Sequence, residues 1–215
     1  MIKIKYKFII LAICLLFSGN LFSQSISIDR AFDFLNKSRY NDAIKMFTDL
    51  IKRNDTISNF YYGRGIAYLY TKQYNTAMTD FEKTIELSAN FADAYYGLAI
   101  ANIMLDSHIA AKTILNKAIK LDSNYYELYY VRGILNYVIK DYKNAITDFN
   151  YVIEKKNNLN SNALYGRAIT YYKLERLLDA SSDIDTFLQN NKTNNNNELV
   201  KECHKLLNVI IKNNN

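Results

Sequence analysis

The sequence predicts an all-α fold, an α-solenoid of five consecutive helical hairpins followed by one further helix at the C-terminus. Three observations predict it. The 215-residue chain contains no proline and only six glycines, so few residues interrupt helices. A sequence pattern recurs with a period of 34 or 35 residues. Each period holds two segments in which apolar residues have helical spacing, as a pair of helices requires.

The first helix of each hairpin shows the repeat most clearly. Four segments align without gaps: YYGRGIAYLY from Tyr61, YYGLAIANIM from Tyr95, YYVRGILNYV from Tyr129 and LYGRAITYYK from Leu164. The second helices follow at a fixed distance, from Tyr74, His108, Tyr142 and Leu177, with an earlier copy from Tyr40. We therefore expect five hairpins over residues 24–188, the first having a weaker first helix around Ala31 and Phe34.

Small and bulky residues recur in register within these hairpins. The small residue of the first helix is Ala31, Gly65, Ala99, Gly133 and Ala168, and that of the second is Ala43, Ala77, Ala111, Ala145 and Ala180. The bulky residue that follows is Phe47, Phe81, Leu115, Phe149 and Ile184. Two helices approach closely where a small side chain faces a large one. With this period and register the chain resembles the tetratricopeptide repeat family. The resemblance implies a right-handed α-solenoid with repeats at 24–57, 58–91, 92–125, 126–160 and 161–189.

The N-terminal segment 1–23 has the parts of a secretory signal peptide. Lys3, Lys5 and Lys7 precede a short apolar run over residues 8–17, and small or polar residues follow. The run is shorter than the roughly 20 residues that a membrane-spanning helix needs, although an uncleaved N-terminal anchor is the alternative. We expect cleavage near Ser23 or Gln24 and export to the periplasm, the cell envelope or the extracellular space. Any contact with a membrane would come only from an uncleaved signal segment.

Removal of this segment changes the charge and the cysteine content. It takes away three lysines and no acidic residue, so the formal net charge falls from +6 to +3. The remaining chain has no basic stripe interleaved with aromatic residues, and we expect no nucleic-acid partner. Only Cys203 of the two cysteines remains, which excludes an intrachain disulfide.

The C-terminal part departs from the repeat. Residues 190–197 are an asparagine-rich segment with the composition of a linker. Residues 198–212 then place apolar side chains on one helical face, namely Leu199, Cys203, Leu206, Leu207 and Ile210. The last repeat of a solenoid exposes an apolar flank that must be covered, so we expect this helix to pack there as a cap.

Three repeats carry an arginine in the first helix and an aspartate 16 residues later. The pairs are Arg64 with Asp80, Arg132 with Asp148 and Arg167 with Asp183. The third repeat changes both positions together, to Leu98 and Ile114. This joint replacement predicts that the two positions touch within a hairpin as a structural ion pair; solvated charges that coincide in spacing are the alternative.

The resemblance also implies where a partner would bind, because first helices line the concave groove in this family. The groove residues are then Tyr62, Ile66, Tyr70, Tyr96, Ile100, Tyr130, Ile134, Tyr165 and Ile169, with Met104 and Val138 extending the row. Side chains four residues apart share a helix face, so tyrosines and isoleucines form adjacent stripes. The alternative is that these tyrosines pack neighbouring first helices together.

No pattern indicates catalysis, a cofactor or a metal site. His108 takes the place of a tyrosine that opens other second helices, and the adjacent Cys203 and His204 point about 100° apart on a helix. We therefore expect an exported, non-enzymatic scaffold or adaptor for a protein or peptide, without a small-molecule cofactor. The alternative is a self-associating structural solenoid that has no dedicated peptide ligand.

Overall fold

The computed structural model describes residues 27–155, 161–192 and 198–213. The signal peptide predicted for residues 1–23, most of the predicted asparagine-rich linker and the last two asparagines lie outside the described residues. The described part is helical and contains no strand, which confirms the predicted all-α fold. Its helices are α1 (27–36), α2 (Tyr40–Arg53), α3 (Ser58–Tyr70), α4 (Tyr74–Leu87), α5 (Ala92–Met104), α6 (His108–Leu121), α7 (Tyr126–Val138), α8 (Tyr142–Lys155), α9 (Ser161–Lys173), α10 (Leu177–Asn190) and α11 (Glu198–Asn213).

A tight turn with the same geometry joins the two helices of every hairpin. One residue of each turn has a positive φ, between 56° and 63°, and none is glycine: Ser38, Lys72, Asp106, Lys140 and Glu175. The turn after α3 shows the bonding. Lys72 N–H donates to Leu69 O at 3.0 Å, and Gln73 N–H donates to Tyr68 O at 2.9 Å. This Schellman motif satisfies the last carbonyls of the first helix and reverses the chain without proline or glycine.

The chain divides into two compact units, one ending at Ala101 and one beginning at Asn102. In the first unit α3 packs against α2 and α4. Its N-terminal core is formed by Ala31, Phe34, Ala43, Phe47, Leu50, Phe60 and Ala67. In the second unit α7 packs against α8, and α9 packs against α8 and α10. These hairpins bury a core that includes Ala145, Phe149, Val152, Ala168 and Ile184.

Phe81 and Phe149 of the second helices each sit between two glycines. In the first unit, a Cβ atom placed on Gly65 would lie 2.9 Å from Phe81 Cε1, and one on Gly97 would lie 2.5 Å from Phe81 Cζ. In the second unit, a Cβ atom on Gly133 would lie 2.8 Å from Phe149 Cε1, and one on Gly166 would lie 2.7 Å from its Cζ. Each ring therefore needs a glycine in its own hairpin and another in the next one.

The C-terminal helix α11 packs against α10 and completes the core of the second unit. Val200, Cys203 and Ile210 are buried in that core. The helix α10 is one residue longer than predicted: it ends at Asn190, which the sequence analysis assigned to the linker. Asn191 then ends the helix, its Nδ2 donating to Phe187 O at 2.8 Å. Within the described ranges, no helix combines the length and the apolar character that crossing a membrane requires.

Candidate partner-binding residues and structural ion pairs

Tyr62, a predicted groove residue of the first unit, packs near two phenylalanine rings. It lies on α3, and its ring centroid is 4.9 Å from that of Phe91 and 6.2 Å from that of Phe81. Burial, together with the neighbouring Asp93 and Tyr96, raises the pKa of Tyr62 to about 12. Its ring is therefore partly used in packing.

Among the other groove residues of the first unit, only Tyr70 is exposed. Ile66, Tyr96 and Ile100 are half-buried on α3 and α5. Tyr70 ends α3 with 62% of its surface exposed, and its ring stacks on Tyr40 with centroids 4.8 Å apart. The first unit thus offers one exposed tyrosine, two half-buried tyrosines and two half-buried isoleucines.

The second unit repeats the arrangement of a half-buried tyrosine near a phenylalanine of the second helix. Tyr130 lies 6.2 Å from Phe149, and Tyr165 lies 6.4 Å from Phe187, measured between ring centroids. Burial raises the pKa of Tyr165, and the nearby Cys203 and Glu202 of α11 add to the shift. Tyr165 therefore lies close to the C-terminal helix as well as on the predicted row.

The remaining predicted positions of the second unit differ in exposure. Ile134 and Ile169 are half-buried, whereas Met104 and Val138, at the ends of their helices, are about half exposed. Half-burial orients each ring or aliphatic side chain and leaves part of it accessible. The tyrosines can therefore contribute to packing and still present an edge to a partner.

Each predicted arginine forms a two-point ion pair with its aspartate. The Nε and Nη2 groups of Arg64 donate to the two carboxylate oxygens of Asp80, both at 2.8 Å. The corresponding distances are 3.0 and 2.6 Å for Arg132 with Asp148, and 2.8 and 2.6 Å for Arg167 with Asp183. The aspartates are buried and the arginines half-buried, so each pair joins two helices in a partly desolvated place.

Burial and pairing act in opposite directions on these groups. Burial raises the pKa of Asp80, and the hydrogen bonds from Arg64 act against that rise. The hydrogen bond to Asp80 raises the pKa of Arg64. The carboxylate is thus kept in an unfavourable environment by one specific partner, which makes loss of that partner costly.

Each arginine also donates a third hydrogen bond that the sequence did not predict. It connects the arginine to a second helix of the preceding hairpin. Arg64 Nη1 donates to Thr48 at 3.2 Å, Arg132 Nη1 to Asn116 at 2.8 Å and Arg167 Nη1 to Asn150 at 2.6 Å. A signal was present, because each acceptor follows the bulky residue of its second helix.

Residues with chemical reactivity do not come together in the described part of the chain. No group of three or more His, Cys, Asp or Glu side chains there could hold a metal ion. His108 lies near Asp106, with 4.0 Å between Nε2 and Oδ1. Burial raises the pKa of the Cys203 thiol to about 12, which disfavours the reactive thiolate.

Comparison with known proteins finds the same fold in tetratricopeptide repeat proteins. Residues 58–91 and 92–125 match the sequence profile of the tetratricopeptide repeat family. MamA is 23% identical, with a TM-score of 0.68 over 81% of this chain and 95% of MamA. YrrB, described as a TPR protein with an unusual peptide-binding site, is 21% identical, with a TM-score of 0.65 over 83% of this chain and 90% of YrrB. PilW, described as a widely conserved type IV pilus biogenesis factor, is 16% identical, with a TM-score of 0.71 over 79% of this chain and 78% of PilW. No curated protein matches the chain in sequence.

The hairpins, the glycine–phenylalanine contacts and the matched segments define a helical-repeat protein. Residues 58–125 match the tetratricopeptide repeat family in sequence, and the described helices have the fold of its solved members. At these identities the solved structures establish the fold alone. What the chain binds must be argued from its own residues.

Proposed function

We propose that this chain is an exported scaffold that binds a protein or a peptide segment along its first helices. The observation that carries the proposal is the row of tyrosines and isoleucines that recurs at one register of α3, α5, α7 and α9. Tyrosine offers a broad contact area at a low entropy cost, and its hydroxyl can bond to peptide backbone. The half-burial of Tyr62, Tyr96, Tyr130 and Tyr165 supports this role, because it holds the rings in place before a partner arrives.

Export to the periplasm or the cell envelope is part of the proposal. It is supported by the basic and apolar residues of segment 1–23. The fold is compatible with a role in binding or assembly, since YrrB is described as having a peptide-binding site and PilW as a pilus biogenesis factor. Cell fractionation and N-terminal sequencing of the full-length protein test this part: a cytoplasmic chain that begins at Met1 would contradict it.

A non-enzymatic role completes the proposal. Tetratricopeptide repeat proteins generally act as scaffolds, and the charge pattern of residues 24–215 offers no phosphate-binding stripe. We therefore propose that the partner is a protein or a peptide and that neither nucleic acid nor a small-molecule cofactor takes part.

Site-specific photo-cross-linking in the native envelope tests the binding row. A photoreactive residue replacing Ile100 or Ile134 is expected to capture the same discrete partner. The matched controls replace Asn75 or Glu82, which are exposed on the second helix α4, and should not capture it. Equal capture from all four positions, or from the controls alone, would overturn the assignment of the row.

Substitution of the aromatic side chains gives an independent readout. The Tyr96→Ala/Tyr130→Ala variant should lose the captured partner, whereas Tyr96→Phe/Tyr130→Phe should retain most of it because the rings remain. Circular dichroism is the control for folding of both variants. Light scattering separates the alternative of a self-associating solenoid: a mass that rises with concentration favours self-association, and a constant monomer mass argues against it.

A further inference from the structure

The three paired arginines have different surroundings. The Arg64 guanidinium lies 5.7 Å from the ring centroid of Tyr61 and 5.9 Å from that of Tyr68. Arg167 lies 5.8 Å from the ring of Tyr171. Tyr68 and Tyr171 each follow their arginine by four residues, one helical turn, so an aromatic ring covers the guanidinium at both sites.

Arg132 has no aromatic residue four positions after it, because that position holds Asn136. The ring near this guanidinium is Tyr129, three residues before it and 5.3 Å away, as Tyr61 is near Arg64. A cavity of about 210 Å³ opens beside Arg132 and Asn136, between α6 and α8. Asn116, Asn144 and Thr147 also line it and are exposed, so the cavity is accessible from solvent.

Besides the cavity, the side chain of Asn136 points to a ligand. Its side chain is buried, with 1% exposed, and its Nδ2 donates to Asp148 Oδ2 at 2.9 Å. That bond fixes the orientation of the amide, because the opposite orientation would set two oxygens against each other. Asn136 Oδ1 then receives no hydrogen bond from any described residue. A buried acceptor of this kind is unfavourable until a donor reaches it.

The size and chemistry of the cavity select the ligand. Sites for drug-sized ligands measure about 300–1,000 Å³, so this cavity suits a smaller group. A cavity of about 150 Å³ can hold a benzene molecule, so one aromatic ring fits. The guanidinium of Arg132 favours a ring face, and the Oδ1 of Asn136 requires a hydrogen-bond donor. A phenol ring combines both properties.

We propose that this cavity is a binding site for a tyrosine side chain of a protein partner. The ring stacks on Arg132 as Tyr68 and Tyr171 cover the equivalent arginines, and the hydroxyl donates to Asn136 Oδ1. The site lies between second helices and uses none of the tyrosine and isoleucine row described above. It would therefore be a second contact point, with a selectivity for tyrosine that the row does not explain.

Binding of N-acetyl-tyrosinamide to the purified protein tests the site, with N-acetyl-phenylalaninamide as the matched probe. Nuclear magnetic resonance follows the Arg132 Nε–H and Asn136 Nδ2 signals. Saturable shifts with a millimolar Kd are expected for the tyrosine probe, and binding about three to ten times weaker for the phenylalanine probe, the effect of one hydrogen bond. Absence of a saturable shift, or equal affinity of the two probes, would overturn the proposal.

Two variants complete the test. Asn136→Tyr recreates the residue that follows arginine in the second and fifth repeats, so it should fold, fill the cavity and bind the tyrosine probe at least tenfold more weakly. Asn136→Leu removes the acceptor and should abolish the preference for tyrosine over phenylalanine. Unchanged binding by either variant would contradict the assignment. If Asn136→Tyr fails to fold, Asn136→Leu alone decides.

Discussion

Asp80 shows at the scale of one residue how this protein handles buried charge. Its carboxylate is 3% exposed and is held by two hydrogen bonds from Arg64. We predict that Asp80→Ala, which leaves the guanidinium without its partner, destabilises the protein by about 3 kcal/mol. The double variant Arg64→Leu/Asp80→Ile copies the third repeat and should cost less than about 1 kcal/mol. Urea unfolding measures both, and equal losses would contradict the proposed reason for the joint replacement at Leu98 and Ile114.

The phenol of Tyr62 makes stability depend on alkaline pH. Its pKa is raised from 10.0 to about 12, chiefly by burial, so the folded state keeps a proton that the unfolded chain loses. The neutral phenol thus stabilises the folded state fully below about pH 10, and this contribution is lost as the pH rises towards about 12. Between pH 9 and 11 the Tyr62→Phe variant should lose less stability than the natural chain. Equal losses of stability by the two proteins over this range would contradict the assignment to Tyr62.

At the scale of helices, the size of a second-helix side chain limits the size of the residue that faces it in the next hairpin. The position of Gly63, Gly97 and Gly166 is Val131 in the fourth repeat, and there the preceding second helix carries Leu115 in place of phenylalanine. We predict that Gly166→Val destabilises by about 2–3 kcal/mol, because its side chain would collide with Phe149. Adding Phe149→Leu should recover part of that loss. A double-mutant cycle of urea unfolding measures the coupling, and purely additive losses would exclude it.

Opening of the C-terminal helix α11 can be measured by the labelling rate of its single cysteine, Cys203. Cys203 has no exposed surface, and burial raises its pKa to about 12, so both access and thiolate formation oppose modification. We predict that Cys203 reacts with a thiol reagent much more slowly than in the unfolded chain, at a rate set by opening of α11. Val200→Ala should accelerate the reaction, whereas Lys201→Ala, on the exposed side, should not. The assay uses a Cys14→Ser background, and fast labelling of that protein would show that α11 does not cover the thiol.

At the scale of the whole molecule, the hairpins were predictable because their determinants repeat. The 34-residue period and the small residues at Gly65 and Ala77 define each helix pair locally. The Arg–Asp pairs could be predicted because the third repeat replaces both members together. In contrast, the bond from Arg132 to Asn116 joins two repeats, and comparison within one repeat does not show it. The sequence could not separate packing from binding at the tyrosines either, since both favour the same residue at the same spacing.

The candidate cavity was not predicted for a different reason. A single asparagine among apolar helical positions looks unremarkable in a sequence, and Asn136 gains meaning only from the buried Asp148 that orients it and the space beside it. Likewise, Asn190 looked like linker because it begins a run of asparagines, yet it still belongs to α10. Neither feature is visible in local composition.

The glycine that each phenylalanine meets in the following hairpin has a consequence for how such a chain can evolve. Deleting residues 92–125 would leave every remaining helix intact but bring Val131 against Phe81, where Gly97 now stands. We expect this shortened chain to unfold without cooperativity in urea, and an added Val131→Gly to restore a cooperative transition. Its charges would not be the obstacle, since Arg132 would meet Glu82 in place of Asn116. The repeats are thus not interchangeable modules: their order along the chain is encoded in the fit between neighbours, and duplication or loss of one requires a matching change in the next.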